Sequence, residues 1–141
     1  MARIWKTDVT VEMLTEMSRN TLMENLGIEF LEIGDDFVKA RMPVDCRTRQ
    51  QMGILHGGAS VALAETLGSL AGNLCVDQAK HRVVGLEINA NHMRPVAEGW
   101  VTGVTKPIHI GRSTQLWEIQ IFNDQHKLVC ISRHTVAVID A

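Results

Sequence analysis

Hydrophobic spacing changes several times along the chain, and each change predicts an element. Thr10 stands before a short stretch with Leu14 and Met17 on one side, as in a helix opened by a hydroxyl cap, and a second helical turn over Asn20 to Leu26 stops at Gly27. From Ile28 the period becomes two. The runs Ile28 to Ile33 and Phe37 to Met42 flank Gly34-Asp35-Asp36, and Val38, Ala40 and Met42 alternate with Lys39 and Arg41, which predicts a hairpin. Pro43 to Gly53 is polar and irregular. A helical segment follows from about Gly58 to Gln78, with Leu63, Leu67, Leu70 and Leu74 at intervals of four, three and four. Gly58, Ala62, Glu65, Ser69 and Gly72 form a second ridge of small and polar groups on it. Beyond Gln78 the period is two again: Val84, Leu86, Ile88 and Ala90 alternate with Gly85, Glu87, Asn89 and Asn91, and Trp117, Ile119 and Ile121 with Glu118 and Gln120. Trp100 to Thr105 and Leu128 to Ile139 complete the set, the latter entered through the turn Asn123-Asp124-Gln125-His126.

Two strands, one long helix and four strands with short connections imply antiparallel pairing. Such a sheet must cover its apolar face, and only the central helix is long enough to do so. The expected fold is therefore α+β, a single domain over residues 1–141 in which a sheet of five to six strands curls around one helix. A chain of 141 residues suffices for one such core and not for two.

Charge and composition narrow the function classes. Fourteen Lys and Arg against sixteen Asp and Glu leave a net charge of −2, without a broad basic field for nucleic acid. With 45% apolar and 21% charged residues the composition is that of a globular protein, and no window has the ~18 to 20 uninterrupted apolar residues of a membrane span. The N-terminal Met1 to Asp8 lacks the apolar core of a secretory signal, so a cytoplasmic protein is expected. Cys46, Cys75 and Cys130 are odd in number and far apart, and neither they nor the six histidines have metal-ligand spacing; no disulfide framework, metal or other cofactor is expected.

The chemistry concentrates between Gln50 and Ser69. Gly57-Gly58 at a helix start leaves backbone N–H groups outward at the positive end of the helix dipole. That suits an oxyanion hole for acyl transfer, with the Gln50 amide assisting, although a glycine pair also simply permits a tight turn. Glu65, among Ala62, Leu63, Ala64 and Leu67, is expected to be mostly covered; without a partner such a carboxylate resists ionisation and suits a general base or nucleophile, the alternative being an edge-exposed or structurally bonded Glu. Ser69, one turn on, can bond Glu65 or a water held by it. Gly58-Ala59-Ser60-Val61-Ala62 nearly matches a G-x-S-x-G elbow, but its last position is Ala and no convincing strand precedes it, so Ser60 is read as a packing residue. Gly57 and Glu65 are eight residues apart, about 12 Å along a helix axis at ~1.5 Å per residue. One carbonyl cannot reach both, so if both act on one substrate, Gly57 of one copy must meet Glu65 of another in a homodimer with composite sites.

These residues resemble the hotdog-fold acyl-CoA thioesterases, in the bacterial branch similar to 1,4-dihydroxy-2-naphthoyl-CoA thioesterase. The resemblance runs through Ile4-Trp5-Lys6, Gly34-Asp35-Asp36, Met42-Pro43-Val44-Asp45, Leu55 to Ser60, Val83 to His92 and Ser132-Arg133. Its specific part is His56-Gly57-Gly58 with Glu65 at its spacing, Gln50 six residues before His56, and Ser69; related branches carry Asp at the Glu65 position. The resemblance implies that Glu65 is nucleophile or general base, that Gln50 and His56 orient the thioester, that the Gly57 N–H polarises the carbonyl, and that Ser69 holds the water or the carboxylate. It implies an acyl-CoA substrate, shared active sites in a dimer and often a homotetramer, with a place in menaquinone biosynthesis. Coenzyme A phosphates need local cations or N–H groups. The resemblance assigns them to His92-Met93-Arg94-Pro95, to His109-Ile110-Gly111-Arg112-Ser113-Thr114 and to Gly85; without it, Arg94 and Arg112 read as solvated loop arginines. Two rival readings remain: a sister branch that clears aryl groups misloaded on a siderophore-pathway carrier protein, and a non-catalytic acyl-CoA-binding module.

Overall fold

An eighteen-residue helix occupies the centre because one of its faces is apolar along its whole length. In the computed structural model, which describes residues 2–141, the elements are α1 (Val11–Met17), α2 (Leu22–Asn25), β1 (Glu29–Ile33), β2 (Val38–Pro43), α3 (Gly57–Leu74), β3 (His81–His92), β4 (Trp100–Ile110), β5 (Thr114–Phe122) and β6 (Leu128–Asp140). The strands form one six-stranded sheet in the order β1-β2-β4-β5-β6-β3, every pairing antiparallel. β3 is an edge although it is among the longest strands. The sheet wraps α3, which touches β2, β3, β4, β5 and β6. This is the curled sheet around one helix that the pattern predicts, and the hotdog fold that the resemblance implies.

Packing follows the periodicity. Leu63, Ala64, Leu67 and Ala71 of α3 are fully buried against Val38, Ala40 and Met42 of β2, Val101 of β4, Trp117, Ile119 and Ile121 of β5, and Val136 of β6. The helix sits close because Gly103 lies beneath it, where a Cβ would stand 2.8 Å from Leu67 Cδ1. Thr10 opens α1 as expected, its hydroxyl accepting from the Met13 N–H at 3.1 Å, and Leu14 is buried while Met17 is exposed. The N-terminal segment ties the layers together. Ile4 N–H donates to the Asp35 carbonyl, Lys6 N–H to the Leu74 carbonyl, and Trp5 stacks on Trp117 at 6.2 Å while its Nε1 donates to the Gly34 carbonyl.

Three features depart from the sequence pattern. The helix ends at Leu74 rather than Gln78: Lys6 satisfies its terminal carbonyl, and Asp77 Oδ1 accepts from the Ala79 N–H in a side-chain turn that competes with further helix. β4 continues to Ile110, past the expected end at Thr105. In β3 the pairing register with β6 shifts between Gly85 and Glu87. One extra residue flips the side chains that precede it, so Val83 is buried while Val84 and Leu86 are exposed, and Ile88 and Ala90 return to the core.

Two expectations follow. Leu67→Ala empties a fully buried site and should lower unfolding free energy by ~2–5 kcal/mol, read as a fall in the urea midpoint. Burial raises the Cys75 thiol to about 11 and pushes the Cys130 thiol up, while Cys46 is exposed. Mild alkylation at pH 8 should therefore modify one thiol in the native chain and three after unfolding; rapid labelling of all three without denaturant would contradict this packing.

Candidate active site

The loop between β2 and α3 is built to hold its shape. Asp45 takes hydrogen bonds from the Arg47 N–H and guanidinium at 2.9, 3.1 and 2.7 Å, which hold its carboxyl down at about 2. The Thr48 hydroxyl donates to the Pro43 carbonyl at 2.6 Å, and His56 N–H donates to the Thr48 carbonyl at 2.8 Å. Beyond this frame, Gln50 Oε1 accepts from the Met52 N–H. The amide keeps both NH₂ donors free of this loop bond, and Gln50 lines a cavity of ≈ 380 Å³.

That cavity lies at the start of α3. Gly57 lines it together with His92, Met93, Arg94 and Pro95 from the end of β3 and the residues after it. His56 is the N-cap, with Nδ1 accepting from the Gly58 N–H at 2.8 Å. The ring therefore closes one helix-terminal donor while the Gly57 N–H stands at the positive helix end. Gly57 lies close against His92: a Cβ there would stand 3.1 Å from His92 Nε2 and would press on that exposed ring. Arg94 is not a purely solvated arginine; its Nη1 donates to the Leu128 carbonyl at 2.7 Å.

Glu65 lies elsewhere. With Ser69, Ala62 and Leu70 it lines a second cavity of ≈ 370 Å³, closed on one side by Leu22 and Met23 of α2. Contrary to the expectation of a covered carboxylate, Glu65 is exposed, because Leu63, Ala64 and Leu67 point to the sheet and its own side of α3, shared with Ala62, does not. Gly72, expected on the same ridge, packs against Gln115, Val83 and Val136 instead. Gly85 of β3 lies close to the Glu65 carboxylate: a Cβ on it would stand 3.2 Å from Glu65 Oε1.

The two segments expected to hold the CoA arm are also separated within one chain. His92 pairs with Cys130 of β6, and Thr114 with Ala137. Seven residues of strand at ~3.3 Å each put them about 23 Å apart. Ile110, Gly111 and Arg112 line a third cavity of ≈ 520 Å³ with Lys6, Lys80 and His81. His109 lies beside Gly111, where a Cβ would meet its Nε2 at 2.6 Å, and Ser113 contributes its carbonyl to the Val138 N–H.

One residue that the sequence patterns did not single out belongs to the Glu65 side. His134 is 1% exposed, with Nε2 2.9 Å from Ser69 Oγ and Nδ1 3.1 Å from the Glu87 carbonyl oxygen. Its signal was a histidine at an inward position of a period-two strand, between Ser132 and Val136, both buried.

Comparison with known proteins adds to this geometry. Residues 52–130 match the family model described as the thioesterase superfamily. The chain is 52% identical over 136 residues to 1,4-dihydroxy-2-naphthoyl-CoA hydrolase of Escherichia coli, covering 96% of this chain and 99% of that one. It is 53% identical over 135 residues to a proofreading thioesterase of Cronobacter turicensis, covering 96% and 98%. A thioesterase crystal structure from Haemophilus influenzae superposes with a TM-score of 0.95 at 51% identity, covering 97% of this chain and 95% of that one.

The cap at α3 can be tested directly. His56→Ala removes the acceptor for the Gly58 N–H and should cost about 1 kcal/mol of stability by urea unfolding, whereas His56→Asn, a good N-cap, should restore most of it.

Proposed function

The chain belongs to the thioesterase superfamily and is a thioester hydrolase, and from that premise we propose that it cleaves an aromatic acyl-CoA, with 1,4-dihydroxy-2-naphthoyl-CoA of menaquinone biosynthesis as the substrate. The observation that carries the site assignment is the gathering of Gln50, the Gly57 N–H and the His92 to Pro95 segment around one cavity at the positive end of α3. The thioester carbonyl oxygen lies there, accepting from the Gly57 N–H and the Gln50 NH₂ as negative charge develops. Donors fixed in this way contribute ~10²–10³ in rate each. As base, Glu65 takes a proton from water while the water oxygen attacks the carbonyl carbon; the C–S bond breaks, and the CoA thiolate leaves and is protonated by the proton Glu65 took. As nucleophile, a Glu65 oxygen attacks the carbonyl carbon, the C–S bond breaks and the thiolate leaves, and water then hydrolyses the resulting anhydride to free acid and the Glu65 carboxylate, its proton going to the thiolate.

Glu65 opens on a different cavity from Gly57, so the reactive pair comes from two copies of the chain in this reading. The free edge of β3 favours such a homodimer. An antiparallel mate along that edge sets His92, which touches Gly57, opposite the end of β3 whose Gly85 touches Glu65. The same pairing brings the Arg94 segment of one copy toward the Arg112 segment of the other, where both can meet CoA phosphates. Homotetramers and a cytoplasmic location accompany this reading.

The alternative carrier is an aryl carrier protein, favoured by the relative at 53% identity whose name denotes proofreading. Release of free thiol from naphthoyl-CoA, benzoyl-CoA and benzoyl-carrier protein measures kcat/KM for each. A clear preference for naphthoyl-CoA supports the proposal, preference for the loaded carrier replaces it, and no release from any of them would favour an acyl-CoA-binding role. Glu65→Gln should lower kcat by ~10²–10⁴ with the fold retained. Mixing Glu65→Gln chains with Gln50→Ala chains should restore activity above either parent, because one composite site per mixed dimer keeps both wild-type groups; no gain on mixing would place the whole site in one chain.

A further inference from the structure

The buried imidazole of His134 has no role in the mechanism above, yet the structure makes a slot for it. A Cβ on Gly68 of α3 would stand 2.9 Å from its Cδ2, and one on Gly85 of β3 would stand 3.0 Å from its Cε1. Side chains at either glycine would crowd the ring, so helix and edge strand together fix its plane. The same vacant point above Gly85 lies 3.2 Å from Glu65 Oε1, which puts the imidazole near the Glu65 carboxylate.

Both ring nitrogens face oxygen, and the two oxygens differ in kind. Nδ1 is 3.1 Å from the carbonyl oxygen of Glu87, located where the β3 register shifts. A carbonyl only accepts, so Nδ1 carries the hydrogen. In the neutral ring that leaves Nε2 as a bare acceptor, 2.9 Å from Ser69 Oγ. Ser69 has one hydrogen and must donate it to His134. Its oxygen then faces the Glu65 cavity with lone pairs alone.

We propose that His134 is a positioning residue for thioester hydrolysis: by taking the Ser69 hydrogen, it makes Ser69 an acceptor toward the Glu65 site. An acceptor there can hold the hydrolytic water through one of its hydrogens, or a Glu65 that has taken a proton. It cannot donate to the Glu65 carboxylate, and a hydrogen bond donated to a carboxylate stabilises the charged form and weakens it as a base. The inference rests on the reading that Glu65 and Ser69 act in hydrolysis, and it adds the direction of the Ser69 hydroxyl and the group that sets it.

The test combines a spectroscopic and a kinetic readout on the full chain. Nitrogen-15 NMR of labelled histidine should show His134 protonated at Nδ1 and bare at Nε2, and Ser69→Ala should shift the Nε2 resonance while leaving Nδ1 protonated. An Nε2-protonated tautomer overturns the proposal. With naphthoyl-CoA or benzoyl-CoA, His134→Leu should lower kcat about tenfold at little change in KM, and His134→Gln, whose carbonyl oxygen can accept from Ser69, should recover most of it. In a Ser69→Ala background His134→Leu should cost nothing further. Full activity of His134→Leu, or additive losses, would sink the idea. If His134→Leu does not fold, the tautomer and the kcat of His134→Gln, near wild type as expected or lowered tenfold against it, decide. An active Glu65→Gln chain would remove the underlying site assignment while leaving the tautomer unchanged, so the two failures are distinguishable.

Discussion

A helix is a rigid ruler, and the ruler here is α3. Its first N–H groups and its carboxylate at Glu65 are two turns apart, so the two candidate groups have a fixed separation. The helix cannot bend to close that gap, because Leu63, Leu67 and Ala71 are fully buried beneath the curled sheet. Within one chain Gly57 and Glu65 therefore open on different cavities, and strand order leaves the long β3 edge free beside them.

Small residues set how closely the sheet meets this helix, and the closeness is what makes the Glu65 side chemically specific. Gly103 lets Leu67 settle onto β4, while Gly68 and Gly85 leave room for the His134 ring. The cost of burying an imidazole is offset by hydrogen bonds at both nitrogens, and those bonds convert Ser69 from a group of either polarity into one of a single polarity. At the other end of α3 the logic is similar. His56 uses its ring to cap the helix, and Gln50 spends its oxygen on its own loop, so the orientation of each is fixed before any substrate arrives.

The fold was largely legible because its periodicities are clean. Leu63, Leu67 and Leu74 of the helical repeat in α3, and the alternation in β2 and β5, correspond to buried positions, while Leu70 is half-buried beside the Glu65 cavity. Legibility failed where one residue or one side chain decides the outcome. A single extra residue in β3 turned Val84 and Leu86 outward, and alternation alone gives no sign of where a bulge will fall. The helix ended early because Lys6 and Asp77 take over its last turn, one through a contact distant in sequence and the other through a local side-chain turn. The exposure of Glu65 was hidden for a related reason: Leu63, Ala64 and Leu67 near it in sequence are apolar, but they occupy the other face.

The sequence by itself determined an α+β domain with one long central helix, the candidate residues Gln50, His56, Gly57, Glu65 and Ser69, and the eight-residue separation that keeps Gly57 and Glu65 apart. Those are properties of residue type and spacing, which local rules convert directly into geometry. Only the tertiary structure decided that His92 lies against Gly57, that Gly85 lies beneath Glu65, and that His134 reaches Ser69 from 65 positions away. Such contacts depend on strand order and register, and those are fixed by the packing of the whole sheet on one helix rather than by any segment's own pattern.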